Sequence, residues 1–510
     1  MSAPVRYGDW ARDTQGWLFG LTGAAWIAIA ASGTPLLLAA GAHRWWWMAG
    51  WFPVWVMVAA GIAVPVHGRP AVRWLLDLGL RGIGTGMGWT SWQAGVIAGP
   101  ADASGVDGGQ VDLPGVLAGI RVFDGPPCGP RLVRPAIVQD LASRTWAVVV
   151  QVTHPGIGLA EATVRARMAA GLSELLEGAA TGELVSVLAV QVRTVPDDGA
   201  ERAAWQARTV RGDAPGLALR VNAELTASLV AAGVRHEVFV TVVVAEQRIA
   251  RQARQAGGGL EGRARVLYGV MGEVEARLTG HLGCSGVAWL DSAGLAAAIR
   301  TGFAPGERAG LVAAGLAAVD DSGVAGVWPL AAAGPSQAPA PERRHYEHDA
   351  WSSVTTAVLL PDSGAIMGAL APVFTPTQAG ERRSVTVLFE PIARTRADRL
   401  VGRDSMSADT AAQVRSRMGF ATRAAHHRAA TRVAGQDVRL ADGRALLRVA
   451  VVAAVTVPST WPVADYGRRL DAAIRGSGFA PLRLDLAQDS GFAVACIPLG
   501  VGLPRHRGLR

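Results

Sequence analysis

Two runs of uncharged, mostly apolar residues, Leu18–Ala42 and Trp45–Val66, stand near the start of the chain with only His43-Arg44 between them. Each exceeds the roughly 20 residues that a helix needs to cross about 30 Å of hydrocarbon. The pair predicts a transmembrane hairpin. A cleaved leader does not fit, because the first run is too long for its apolar segment and a second span follows at once. Behind the hairpin, Arg73, Asp77 and Arg81 recur every four residues in Gly68–Gly82, while Val72, Leu75, Leu76 and Leu80 fall on another side. That spacing predicts an amphipathic helix. It suits the inner membrane surface with Trp74 as anchor, and it suits packing on a soluble domain equally well. Gly82–Gly88 misses the G-x-G-x-x-G spacing, follows no strand and reads as a hinge.

Past a polar Gly/Asp stretch at Pro100–Gly109, strands alternate with helices. Trp146–Thr153 is a β-branched run closed by the turn His154-Pro155-Gly156, and Leu184–Val192 and His236–Ala245 are further strands. Leu159–Glu177, Leu217–Ala232 and Arg263–Leu282 carry helical periodicity, the last with Leu267, Val270, Val274 and Leu278 on its apolar face. Asp291–Arg300 reads as a short helix capped by Asp291 or Ser292. Gly334–Pro341 (GPSQAPAP) is the clearest linker, since its Pro and Ala cannot hold a ladder. After the charged stretch Glu342–Asp349 a second cycle begins. Strands Ser352–Leu360 and Arg383–Pro391 precede a long Arg-rich helix, Thr395–Arg432. Strand Leu446–Val457, helix Val463–Gly476 and strands Leu482–Leu486 and Phe492–Pro498 complete it.

Both halves satisfy split β-α-β-like units. The expected fold class is therefore membrane-anchored α+β: an N-terminal two-helix transmembrane hairpin followed by two ferredoxin-like α/β cytoplasmic subdomains. The hairpin and interfacial helix take residues 1–95, the first subdomain 96–333, the linker 334–349 and the second subdomain 350–510. The two halves do not align residue by residue.

Charge orients the hairpin. Arg6 and Arg12 precede it, Arg69, Arg73 and Arg81 follow it, and Arg44 stands alone in the turn. The excess of arginine at the ends places both termini in the cytoplasm and the protein in the cell (inner/plasma) membrane as a two-span chain. Trp45, Trp46, Trp47 and Trp51 crowd the start of the second span, where indoles favour a lipid–water interface. With Trp74 they are the candidate membrane-interface residues.

The formal charge of +8 comes from arginines interleaved with acids. No aromatic–basic cluster accompanies them, so direct nucleic-acid binding is not expected and a surface near anionic lipid is. Cys128, Cys284 and Cys496 are odd in number and far apart, which fits a reducing compartment and neither a disulfide framework nor a metal spacing. All 49 basic residues are arginine. A phosphate-binding G-x-x-x-x-G-K-[ST] loop and Schiff-base chemistry both need lysine and are excluded.

No catalytic constellation emerges. His236-Glu237 sits in a strand and lacks the second His of H-E-x-x-H. His345 and His348 are spaced H-x-x-H but fall in the charged linker, where they read as solvated. His426-His427 point about 100° apart on a helix. Asp197-Asp198 and Asp320-Asp321 read as turns. Asp489-Ser490-Gly491 lacks the context of a nucleophile motif and reads as a turn between two strands. The chain has no G-x-S-x-G elbow. No catalytic, cofactor-binding or metal residue is expected, and no cofactor.

Several short motifs, taken in order, resemble a family of actinobacterial integral membrane proteins. They are Arg6-Tyr7-Gly8-Asp9-Trp10, Leu18-Phe19-Gly20-Leu21, the exit Gly68-Arg69-Pro70, Leu113-Pro114-Gly115-Val116-Leu117 and the Trp146–His154 strand. The family is found with PrgI-like and TraC-like proteins of conjugation or type IV secretion-like systems and is related to EccE-like proteins. The segments Leu282–Gly306 and Leu446–Leu499, with the end Ile497-Pro498-Leu499-Gly500, are also similar to the N-terminal region of TraC-type secretion ATPases. There, ferredoxin-like elements bind a two-helix membrane partner and a motor domain follows. Here the two-helix element stands in front, and the chain stops where the motor would begin. The resemblance implies a non-enzymatic inner-membrane scaffold that recruits a separate TraC-like ATPase and assembles as an oligomer with other membrane subunits of the apparatus. An EccE-like subunit of a type VII secretion system is the alternative. An alternative of another class is a membrane-bound enzyme with an unrecognised site.

Overall fold

A computed structural model describes residues 6–7, 23–66, 69–95, 111–130, 132–158, 160–320, 328–361, 364–366, 368–378, 380–402, 406 and 424–502. The N-terminal region is helical: α1 (Gly23–Ser32), α2 (Thr34–Gly41), α3 (Trp45–Ala63) and α4 (Ala71–Gly86). The first predicted span is broken at Gly33. Pro35, in the first turn of α2, has no N–H to give and its ring opposes the preceding turn. Thr34 and Ser32 return their hydroxyls to the carbonyls of Ala31 and Ile29, each at 2.8 Å. From α3, the Trp55 indole donates to Ile29 O at 3.0 Å and the Trp51 indole to Ser32 O at 3.3 Å, tying the break to its neighbour. The second predicted span is one continuous helix, α3. At 19 residues it is long and apolar enough to cross a membrane, and none of it is buried. Residues 18–22 lie outside the described set, as do Pro100–Gly109 and residues 403–405 and 407–423 of the Arg-rich segment.

The rest of the described chain is organised on one sheet of eleven strands. The first half supplies β1 (Ile120–Asp124), β2 (Ala136–Asp140), β3 (Thr145–Thr153), β4 (Val185–Pro196), β5 (Val234–Ala245) and β6 (Gly286–Trp289). The second supplies β7 (Tyr346–His348), β8 (Trp351–Leu359), β9 (Arg382–Pro391), β10 (Leu447–Pro458) and β11 (Ala480–Arg483). The order is β7-β8-β10-β9-β4-β5-β3-β2-β1, with β6 on the far end of β3 and β11 on the far end of β8. Among the described residues its strands all pair antiparallel.

This order contains a repeat. The first half runs β6-β3-β5-β4 across the sheet and the second runs β11-β8-β10-β9, so each half has its strands in the order fourth, first, third, second. A leading strand, β2 or β7, precedes each unit and forms a hairpin with its first strand. The units join through their second strands, from Arg383 opposite Thr194 to Phe389 opposite Leu188.

The described helices of the body are α5 (Ala162–Thr181), α6 (Ala200–Thr209), α7 (Gly216–Ala232), α8 (Glu246–Gln255), α9 (Gly259–Thr279), α10 (Ser292–Phe303), α11 (Arg308–Asp320), α12 (Ala424–Ala441), α13 (Val463–Gly476) and α14 (Gln488–Cys496), with a further helical stretch at 394–402. On one face, α5 and α9 bury Leu175 and Leu267 against Val148 and Val242, and α13 buries Leu470 against Val385 and Val455. On the other, α10 and α14 bury Ile299, Phe303, Phe492 and Val494 against Val149, Val243 and Val452. Strands sandwiched in this way become continuous apolar runs, and Val451–Val457 is buried throughout and apolar except for Thr456.

Three expectations change here. Phe492–Pro498, expected as a strand, is mostly the helix α14, because a short run apolar on all sides is wanted equally by a buried strand and a buried helix. Gly334–Pro341 is not a free tether. Gln337–Ala338 pairs with Trp92–Gln93, and Arg300 Nη1 reaches Gly334 O at 2.7 Å and Asp349 at 3.0 Å. Two residues of ladder tolerate the flanking prolines because neither occupies a paired position. The glycine-rich stretch after Arg81 continues α4 as far as Gly86 rather than opening as a hinge.

Candidate functional site

The predicted interface tryptophans fall in two environments. Trp45, Trp46 and Trp47 form the first turn of α3 and are exposed, Trp46 at 90%, and Trp51 follows one turn later. Trp74, on α4, is half-buried against the body, with the Arg343 guanidinium 4.9 Å from its ring centre. α4 has the two sides that its sequence predicts. Leu75, Leu76, Leu80 and Ile83 are exposed, whereas Arg81 Nη2 donates to Pro341 O at 2.5 Å. The polar side therefore docks on the body and the leucine side is left open. Val72 packs so closely on α3 that a Cβ at Gly61 would lie 2.6 Å from its Cγ2.

The middle of the sheet is polar although enclosed. Gln191 and Arg193 of β4, Thr241 of β5, Arg382, Ser384 and Thr386 of β9 and Thr456 of β10 are all buried. They receive the C-termini of α10 and α14, whose last carbonyls have no partner within the helix. Arg382 donates to Thr301 O and Gly302 O. Arg193 Nη1 donates to Ala298 O at 2.8 Å and, more weakly, to Cys496 O at 3.4 Å. Gln191 Nε2 and Thr386 Oγ1 both donate to Ala495 O, at 2.8 and 3.2 Å.

The two guanidiniums face Glu237, 3.4 Å from Arg193 Nε and equally close to Arg308 Nε, and two helix ends that each carry about half a negative charge. Burial still pushes the Arg193 guanidinium down to about 10, against the attraction of Glu237. Burial lowers Arg382 as well.

His348, expected in a solvated linker, ends β7 in the interior. Its Nε2 is 2.9 Å from Ser353 Oγ, and Phe303, Tyr346 and Phe492 surround its ring. Burial, followed by repulsion from Arg382, pushes it down to about 3, so the ring is neutral. His345 is partly buried between Glu342 and Glu347. The H-x-x-H pair is thus split between two environments by a strand, in which successive side chains take opposite faces.

Asp489-Ser490-Gly491 is not a turn between strands but the first turn of α14. The preceding Gln488 takes the place of a strand neighbour for Thr355, accepting its N–H at 2.7 Å and donating to its carbonyl at 3.2 Å. Asp197 and Asp198 do form a turn, accepting the N–H groups of Gly199 and Ala200 at 3.0 Å. With Glu201 their carboxylates cluster within 4.8 Å. Arg308 bridges Asp198, at 2.6 Å, and Glu201, and Arg235 also reaches Glu201. Partial burial raises the Asp198 carboxyl, but Arg308 outweighs it and holds the group below its usual range. His236-Glu237 lies in β5 as expected, with His236 Nδ1 3.0 Å from Thr194 Oγ1. The side chains of His426 and His427, and Asp321, lie outside the described residues. The three cysteines are free.

The predicted strand Leu184–Val192 stops short of Arg193, whereas β4 continues through it to Pro196, so the buried arginine pair is a site that pattern reasoning misses. No protein-family model matches this chain, and no curated protein matches it.

Proposed function

We propose that this chain is a non-enzymatic membrane scaffold of a conjugation or type IV secretion-like apparatus, anchored by two apolar spans with both termini cytoplasmic, and that its α/β body recruits a separate TraC-like ATPase. The observation that carries the reading is the junction at α4. An unburied apolar helix with tryptophans at one end leads into a helix whose Arg81 grips the body and whose leucine side is left for lipid. The repeated order fourth, first, third, second, with α5 and α9 linking strands of the first unit and α13 those of the second, supports reading both halves as ferredoxin-like. Arg193, Arg382 and His348 are spent on helix ends and aromatic packing, which favours a structural role for the body.

The test is affinity capture of the full-length protein from membranes of its native host, with reporters fused at residue 1, at the His43-Arg44 turn and at residue 510. The expected result is a TraC-like ATPase in the eluate, both ends reporting cytoplasm and the turn reporting outside. An FtsK-type ATPase in its place would support the EccE-like alternative. A body located outside the membrane would end the proposal, because no cytoplasmic motor could reach it.

A further inference from the structure

The pair α6–α7, inserted between β4 and β5, is built inside out. Where a helical hairpin in water buries its apolar stripe between the helices, this one joins them by polar groups. Arg202 Nε donates to Thr226 Oγ1 at 3.0 Å and Gln206 Nε2 to the same oxygen at 2.8 Å. Asn222 Oδ1 accepts from both Arg202 and Gln206 at 3.2 Å. The apolar residues of α7 face out instead: Leu217, Val221, Leu225 and Leu229 are 65, 55, 48 and 46% exposed. They repeat every four residues and form one continuous ridge.

We propose that this ridge is the contact between two copies of the chain, packed antiparallel about a two-fold axis that passes between Val221 and Leu225. Such an axis sets Leu217 against Leu229 of the second copy and Val221 against Leu225, which leaves no apolar member unmatched. The charges match as well. Arg220 and Glu224 are exposed on one flank of the ridge and make no ion pair among the described residues. A two-fold axis brings that flank against itself, so Arg220 of each copy meets Glu224 of the other within a turn, and these two attractive pairs outweigh the one approach of Glu224 to its own copy across the axis. A different partner would not require α7 to be complementary to its own reverse. Ridges of this spacing interlock with a crossing angle of about 50°. The inference gives the oligomer a surface and stands without the secretion reading.

The test measures the mass of the full-length protein in mild detergent at tens of micromolar. The expected result is two chains for the wild type and one for Leu225→Asp, with unchanged circular dichroism. Arg220→Glu and Glu224→Arg should each weaken association about tenfold, because symmetry counts every reversal twice. The double reversal should restore it. A single-chain wild type, a dimer indifferent to Leu225→Asp, or a double reversal as weak as its parents would each overturn the proposal. So would wild-type protein found only with a different polypeptide on this ridge.

Discussion

Arg382 Nη2 lies 2.5 Å from the carbonyl oxygen of Gly302, so a cation held wholly inside the protein closes the end of a helix from the opposite half of the chain. Arg193 makes the complementary link from the first half, reaching Ala298 inside α10 and Cys496 at the end of α14. The joint between the two repeats is therefore polar at its centre and apolar around it. Buried guanidiniums are costly, and here donors to helix ends and a shared Glu237 offset that cost.

Replacing Arg382 by methionine should lower stability by about 2–4 kcal/mol, because two helix-end carbonyls remain buried without a donor. Arg382→Lys should fall between, since one ammonium cannot fork to both Thr301 O and Gly302 O. Denaturant unfolding of the full-length protein in detergent measures both. Wild-type stability in the methionine variant would show that the helix end is satisfied some other way.

His348 makes stability depend on acidity. Its folded value, about 3, lies below the ordinary histidine value of 6.5. Between those limits the unfolded chain binds a proton that the folded chain refuses, so stability is complete above about 6.5 and falls as the pH drops toward 3. The slope from this one group is about 1.4 kcal/mol per pH unit. His348→Gln, neutral throughout, should flatten the unfolding free energy between pH 4 and 6 by that amount. An unchanged slope would place the acid sensitivity elsewhere.

Much of this architecture was legible in sequence where one periodicity dominated. Helix Val463–Gly476 is found with its predicted bounds, and strands β3, β5, β8, β9 and β10 lie within a few residues of theirs. What escaped depends on distant neighbours. Arg193 alternates with Val192 as a surface residue would, and only α10 and α14 turn that face into an interior. His348 looks solvated beside Glu342, Arg343 and Arg344, and only its aromatic neighbours from other segments bury it. The ridge on α7 was visible as apolar spacing, but whether it faces the body or solvent is decided by Asn222 and Thr226 bonding to α6.

Gly302 is required by closeness, not by backbone conformation. A Cβ there would stand 2.4 Å from Ile497 Cδ1 and 3.0 Å from Cys496 O, at the point where the two helix ends meet over the joint. Gly302→Ala should destabilise by about 1–3 kcal/mol through forced separation of α10 and α14. Ile497→Ala empties part of the core and is costly by itself, but the double variant should lose less than the sum of the two single losses, because the Cδ1 clash is then gone. A Gly302→Ala variant as stable as wild type in denaturant would show that the helix ends can shift apart freely.

The membrane reading of α3 predicts two chemically different positions on one helix. Trp46 and Met57 are both exposed in the isolated chain, and eleven residues of helix separate them by about 16 Å, roughly half the hydrocarbon thickness. If α3 spans the bilayer with its tryptophans at the outer boundary, a cysteine at 46 meets water and a cysteine at 57 meets acyl chains. In intact cells a membrane-impermeant maleimide should label Trp46→Cys well above the wild-type background of the three native thiols, and Met57→Cys should stay at background. After detergent solubilisation the two should label alike. Rapid labelling of Met57→Cys in intact cells would mean that α3 is covered by protein or open to water rather than lipid, and the anchor would then have to be sought elsewhere in the chain.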